Sequence, residues 1–143
     1  MRRLAFAALL LAATVAARAA PASPVGTWRT FDDETGQENG AVQIFEQGGM
    51  LYGQVKRILD PAKAAAVCAA CADDRQGKPV LGLQIIRGLK PDGDAWDGGE
   101  ILDPKNGKIY KAKLQMQDGG QKLLVRGFIG ISLFGRTQTW VRE

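Results

Sequence analysis

Between residue 26 and the C terminus, apolar and polar side chains change places at every second position, in short runs separated by glycine-rich turns. A period of two belongs to an extended strand with one face in a core and one in water, and it does not fit the 3.6-residue repeat of a helix. The clearest run is Ile109 to Gln117, where Tyr110, Ala112, Leu114 and Met116 oppose Lys111, Lys113, Gln115 and Gln117. Leu51, Gly53 and Val55 alternate with Tyr52, Gln54 and Lys56, and Val42 and Ile44 share a face in the run from Ala41 to Glu46. The runs close on Gly48-Gly49, Pro91-Asp92-Gly93-Asp94, Asn106-Gly107 and Asp118-Gly119-Gly120, which supply the backbone conformations of tight hairpins.

Further runs at Gly26 to Thr30, Val80 to Arg87, Ala95 to Leu102, Lys122 to Ile129 and Gly135 to Arg142 bring the number of strands to about eight. Gly98-Gly99 falls inside one of them and suits a bulge or sharp bend. One segment differs. Asp60 is placed to cap a helix with Pro61 in its first turn, and the Ala-rich stretch to Ala72 predicts one or two helical turns before the polar run Asp73 to Gly77. The pattern predicts an all-β domain, a small antiparallel up-and-down β-barrel with one short helical loop. Closing the meander on itself removes the exposed sheet edges.

The first residues set the compartment. Met1-Arg2-Arg3 is a basic start, Leu4 to Ala17 is apolar but for Thr14, and Ala17-Arg18-Ala19 is a small-residue cleavage pattern. This is the layout of a secretory signal peptide over residues 1–19, with the mature domain at 20–143 and a second cut possible after Ala22. The competing reading is a retained membrane anchor, which the short apolar run fits less well. No later stretch is long and apolar enough to span a bilayer, so a periplasmic or secreted protein is expected. The chain carries 19 basic and 15 acidic residues, but Arg2, Arg3 and Arg18 leave with the signal, and the excess falls from +4 to +1. A nucleic-acid partner is therefore not expected.

Histidine is absent, which excludes Ser-His-Asp and Cys-His nucleophilic sites in their usual form as well as His-based zinc sites. Two cysteines are too few for a four-Cys zinc site. No cofactor or metal is expected, and no enzyme of a common class.

Three ordered motifs then become recognisable: Gly77-Lys78-Pro79-Val80-Leu81-Gly82-Leu83, the stretch Gly99-Glu100-Ile101-Leu102-Asp103-Pro104-Lys105-Asn106-Gly107-Lys108-Ile109-Tyr110, and Val125-Arg126-Gly127-Phe128-Ile129-Gly130 running into Gly135 to Trp140. With Val25-Gly26-Thr27-Trp28 at the start, the chain resembles the secreted bacterial family called domain of unknown function 2147. The resemblance covers nearly all of the mature chain and implies export and a compact lipocalin-like domain, without implying a reaction. Gly26-Thr27-Trp28, with an Arg arriving from the last strand, is also similar to lipocalins and fatty-acid-binding proteins. There a Trp of the first strand packs beneath such an Arg, and Arg142 or Arg136 would take that part here. The chain is short for a lipocalin, which leaves less room for a central cavity.

Cys68-Ala69-Ala70-Cys71 is the motif with possible chemistry. In an exported protein it should form a local disulfide, for which chain entropy gives only about 2 kcal/mol in so small a ring. The alternative, a thioredoxin-type redox centre, needs a helix N-terminus in a βαβ setting, and the surroundings here are strands. Arg87 and Arg126 sit within apolar strand runs. Pointing inward they would seek an anionic ligand; pointing outward they would pair with carboxylates such as Glu100, Asp97 or Glu46, and strand parity favours the outward reading. Trp28, Tyr52, Trp96 and Tyr110 are candidates to line a pocket with these arginines, although aromatic residues more often fill a small barrel. Three functions stay in play: a periplasmic binding module for a small apolar or amphipathic ligand or an envelope partner, a packed structural protein of the envelope, and a weak thiol-disulfide oxidoreductase.

Overall fold

The computed structural model describes residues 12–15, 23–131 and 134–143. The leader expected at 1–19 therefore lies mostly outside the described residues. Among the described residues no helix is long and apolar enough to cross a membrane.

Eight strands follow one another: β1 (Gly26–Phe31), β2 (Glu38–Gln47), β3 (Met50–Ile58), β4 (Gln84–Asp92), β5 (Ala95–Leu102), β6 (Ile109–Gln117), β7 (Lys122–Phe128) and β8 (Gly135–Arg142). Each pairs antiparallel with the next, and β8 returns to β1, closing the barrel. In such a meander the connections alternate between two ends. The turns at 48–49, 93–94 and 118–121 lie at one end with both termini of the barrel. The connections 32–37, 59–83, 103–108 and 129–134 lie at the other, here called the loop end.

The alternation read from sequence is the alternation of the barrel. Val42 and Ile44, Leu51 and Val55, and Ala112, Leu114 and Met116 all belong to the apolar interior or pack against it. Trp28, Ile44, Ile86, Leu89, Leu114 and Leu123 are fully buried, each contributing about 1.5–3 kcal/mol over an exposed position. The Gly98-Gly99 pair marks a bulge, where the β5–β6 register slips between Trp96 and Gly99. At Gly99 the β4 backbone approaches so closely that a Cβ would collide with the Arg87 carbonyl.

Two expectations need correction. The Asp60–Ala72 segment is not helical. Asp60 Oδ1 does accept from the Ala62 N–H at 2.9 Å, but single turns follow, with Lys63 N–H donating to Asp60 O and Ala66 N–H to Lys63 O. The chain is then drawn straight at Val67, which bridges Pro79. A helix this short has little stability of its own, and the tertiary bridge wins. The fourth strand begins at Gln84 rather than Val80 and runs through Pro91 and Asp92, leaving only Gly93-Asp94 as the turn. Gly82, in the left-handed region at φ 85°, bends Val80–Leu83 aside, so that they meet β3 only through the Gly82–Val55 and Val55–Leu83 hydrogen bonds.

The closing seam is the shortest, with only Trp28↔Arg142 and Arg29↔Val141 in register. Here the Arg142 guanidinium lies 4.3 Å from the Trp28 ring centre. It donates to the carbonyls of Gly120 at 2.7 Å, Val25 at 3.0 Å and Ser23 at 2.7 Å. The Trp28 indole donates to Pro24 O at 2.7 Å. Of the two arginines considered for this place, Arg142 fills it; Arg136 pairs with Asp33 at 3.2 Å near the loop end. Arg142→Ala should cost about 2–4 kcal/mol, from three lost charge-assisted hydrogen bonds and the ring contact. Arg142→Lys should recover less than half, because an ammonium cannot span three carbonyls as the planar fork does. Urea denaturation monitored by Trp fluorescence measures both, and equal stability of the Lys variant and the wild type would refute this account of the seam.

Candidate functional site

The long β3–β4 connection, residues 59–83, builds the most elaborate part of the surface. Strand parity sets Ile85 and Leu102 opposite the inward Ile86 and Ile101, on the outer face of β4 and β5, and yet both are buried. They join Leu83, Cys68 and Cys71 in the same apolar cluster. The connection therefore folds back over the outside of the sheet and gives it a second apolar layer. Cys68 and Cys71, Cα atoms 5.4 Å apart, form a disulfide. The Ala70 carbonyl sits directly over Gly107, where any Cβ would collide with it, so Asn106-Gly107 serves both the hairpin and the docking of the disulfide.

A charged clasp holds this connection down. Arg75 is 1% exposed. Its guanidinium makes a forked contact with Asp73, at 3.1 Å from Nε and 2.6 Å from Nη2. It also donates to Gln84 O at 2.9 Å and reaches Glu100 at 3.4 Å. A buried cation is costly unless its donors are met, and these partners meet them. Beside it, Arg87 makes a two-pronged contact with Asp74, both bonds 2.9 Å, and donates to Gln84 Oε1 at 2.6 Å. The Arg75 hydrogen bonds hold the Asp73 carboxyl far below the usual carboxylate range, and Arg87 lowers Asp74 in the same way. Arg87 is itself raised, mainly by its bond to Asp74.

Two concavities flank Arg87 on the outer surface. One, of about 350 Å³, lies between the returning connection and β4, walled by Pro79, Leu81 and Leu83 with Lys78 and Arg75 nearby. The other, about 560 Å³ and shallower, crosses the outside of β3 to β6, lined by Tyr52, Gly88, Gly98, Ile109, Tyr110 and Lys111. Its glycines stand at the bulges of β4 and β5, where missing side chains leave the depression. Of the expected pocket residues, Tyr52 and Arg87 come together at this groove on the outer face, whereas Tyr110, opposite the inward Ile101, only borders it and has its side chain on the inner face. Trp28 is buried at the far end of the barrel under Arg142, and Trp96, opposite Leu114, packs against the interior. Arg126 lies on the outer face of β7 and donates to Thr137 Oγ1 at 2.9 Å. Both arginines are outside the barrel, as parity favoured, but Arg87 pairs with Asp74 rather than with Glu100, Asp97 or Glu46. Among the described residues no three His, Cys, Asp or Glu side chains converge to hold a metal ion.

A family model described as an uncharacterized protein conserved in bacteria (DUF2147) matches residues 26–142. The chain belongs to this family. None of the curated proteins matches it. The DUF2147 chain is similar in fold to a solved structure, protein HP1028 from the human pathogen Helicobacter pylori, which is described as belonging to the lipocalin family. The two superpose with a TM-score of 0.72 over 83% of this chain and 82% of that one, at 20% identity. At that identity the likeness is one of fold: a lipocalin-like barrel.

Sequence reasoning missed Arg75, Lys78, Leu81 and Leu83. Arg75 stands in a polar run with every mark of a solvated turn, and nothing local signals that Gln84 and Glu100 will enclose it. A weak signal did exist for the outer layer: Val80 to Arg87 is apolar at consecutive positions, as a strand covered on both faces must be.

In this DUF2147 barrel the disulfide is a buried anchor of the connection. Replacing both cysteines with Ala (C68A/C71A) should keep the barrel's β spectrum but lower stability by about 2–4 kcal/mol, from lost chain entropy and lost packing. Limited proteolysis should cut first between residues 60 and 80, and an unchanged cleavage pattern would count against the anchoring role. The clasp should also be acid-labile. Because the native pKa values of Asp73 and Asp74 are depressed, their stabilisation is full above the ordinary carboxylate value and is lost as pH falls toward the native values. Melting temperatures should hold steady down to about pH 4 and drop below it, and Asp73→Asn should shallow that drop.

Proposed function

We propose that this protein is an exported, non-enzymatic binding module of the bacterial envelope that takes a small amphipathic ligand with an anionic end on the outside of its barrel, around Arg87. The observation that carries this reading is the filled interior. Six large side chains meet there without exposure, whereas both concavities described above open on the outer face and share Arg87. Apolar walls flank a cation in each direction, the combination that suits an apolar chain ending in a carboxylate or phosphate. Around the site Arg75, Lys78, Arg87 and Lys111 face Asp73, Asp74 and Glu100, a surplus of one positive charge. Tyr52 would contribute to the walls, while Trp28, Trp96, Tyr110 and Arg126 are left to structural roles.

Export is supported by the basic, apolar and small-residue segments of 1–19 and by the disulfide, which persists in oxidising compartments. A redox role gains no support, because both cysteines are buried and thiol exchange requires access.

Native mass spectrometry of protein purified from the periplasm tests both halves together. The chain should begin at Ala20 and carry a co-purifying acidic amphiphile. Dansyl undecanoate should bind, and Arg87→Glu with Lys111→Glu should weaken it roughly tenfold or more, as expected for loss of a charge-assisted contact. A clean apo mass with no probe uptake would favour a packed structural protein instead.

A further inference from the structure

Phe45 on β2 and Tyr52 on β3 are cross-strand partners on the outer face of the barrel. Their rings are stacked, with centres 5.9 Å apart and planes 23° from parallel. Phe45 thereby covers one face of the Tyr52 ring. The other face is turned toward β4, and there the row of side chains stops. Tyr52 comes opposite the irregularity of β4, between the pairs Leu51↔Leu89 and Gly53↔Ile86, where Gly88 stands. The next strand carries Gly98 at its own bulge. Both glycines hold the left-handed backbone, at φ 73° and 75°, and a Cβ on either would meet nothing within 4 Å. From β2 to β5 the outer surface thus runs aromatic, aromatic, bare, bare.

The open place beside Tyr52 has the spacing of a third ring. Adjacent strands lie about 4.8 Å apart, and stacked aromatic rings settle with centres about 4.5–7 Å apart. A planar group standing over Gly88 therefore falls at stacking distance from Tyr52, as Phe45 does on the opposite side. It can also descend to the backbone, since neither glycine holds it off. Met50, on the same face of β3, lines this groove and brings a polarizable thioether to its edge. A flexible alkyl chain would gain burial here but nothing from the alignment of ring planes.

Arg87 immediately precedes Gly88 and lines the same groove. Three of its five N–H groups are engaged, two by Asp74 and one by Gln84. Two are left to meet an acceptor on a group held over Gly88. Asp74 already balances the Arg87 charge, and Glu100 stands opposite Arg87 in register. The two donors therefore act by direct hydrogen bonds, which need the acceptor close at hand. A carboxylate attached directly to the ring meets that demand.

From the interrupted stack we infer that the groove takes a planar aromatic acid, its ring over Gly88 against the uncovered face of Tyr52 and its carboxylate on Arg87. The inference rests on the reading of Arg87 as the ligand site and narrows the amphipathic ligand to one whose apolar part is a flat ring.

Calorimetric titration of the mature protein with 2-naphthoate and with its saturated counterpart, decahydronaphthalene-2-carboxylate, tests it. The two acids share charge and carbon skeleton and differ in planarity. 2-Naphthoate should bind roughly threefold to tenfold more tightly. Tyr52→Leu should bring the ratio of the two affinities close to one, and Tyr52→Phe should preserve it, because a phenyl ring stacks as well. Gly98→Asn, which tolerates the left-handed backbone, should fill the depression and weaken 2-naphthoate. Thermal melts check that each variant is folded. Equal binding of the two acids by the wild type, both lost in Arg87→Glu, would overturn the ring while leaving the ligand site at Arg87 in place. So would a ring preference that survives Tyr52→Leu. If neither acid nor dansyl undecanoate binds, the reading of Arg87 itself fails, and this inference with it.

Discussion

A barrel of eight short strands is stable only if its first and last strands meet, and here they meet along two register pairs. So short a ladder offers little hydrogen bonding of its own. Trp28 and Arg142, direct partners across the seam, supply what it lacks. The indole fills the base of the interior, and the guanidinium covers its face while collecting carbonyls from the entering chain and from the β6–β7 corner. One cation thereby ties three segments that are distant in sequence. Without it the last strand would present an unpaired edge and the interior would open at its widest aromatic residue.

Closure at that seam shapes the rest. A small barrel whose interior is filled by Trp28, Ile44, Ile86, Leu89, Leu114 and Leu123 has spent its central volume on stability. Variation in surface chemistry is then left to the connections of the loop end. The 59–83 segment adds an outer apolar layer, fixes it by a buried disulfide, and clasps it with Arg75 and Arg87 against Asp73, Asp74 and Glu100. The desolvation of Arg75 is offset because each side of its fork meets an oxygen; removal of any one partner would leave a buried charge short of a bond. The outcome is a hydrogen-bonded rim around Arg87, with depressions where Gly88, Gly98 and Gly99 omit side chains. The frame is lipocalin-like, its large interior side chains are fully buried, and the two concavities beside Arg87 lie on its outer face.

Much of this frame was legible in the chain itself, because strand alternation and turn chemistry are local. Tyr110 through Gln117 states its faces residue by residue, Asn106-Gly107 announces a hairpin, and Gly98-Gly99 announces a bulge. Trp28 with a C-terminal arginine was visible too, though the choice between Arg136 and Arg142 was not, since it depends on which of the two stands opposite Trp28 in the closing register. The helical reading of Asp60–Ala72 went astray for the complementary reason. Alanine preference acts weakly over so few residues, and the Val67–Pro79 bridge with the docking of Cys68 and Cys71 outweighs it.

What the sequence determined alone is therefore the list of strands, the face each residue takes, and the absence of the histidine that Ser-His-Asp, Cys-His and His-based zinc sites need. What the tertiary structure decided is where burial and exposure depart from that local code. Arg75, in a run of polar residues, is sealed off by Gln84 and Glu100, while Ile129, Ile131 and Phe134, in an apolar run, stand in the open. Periodicity records only which side of its own strand a residue occupies. Whether another part of the chain comes to cover that side depends on contacts between distant segments, and those exist only once the barrel has closed.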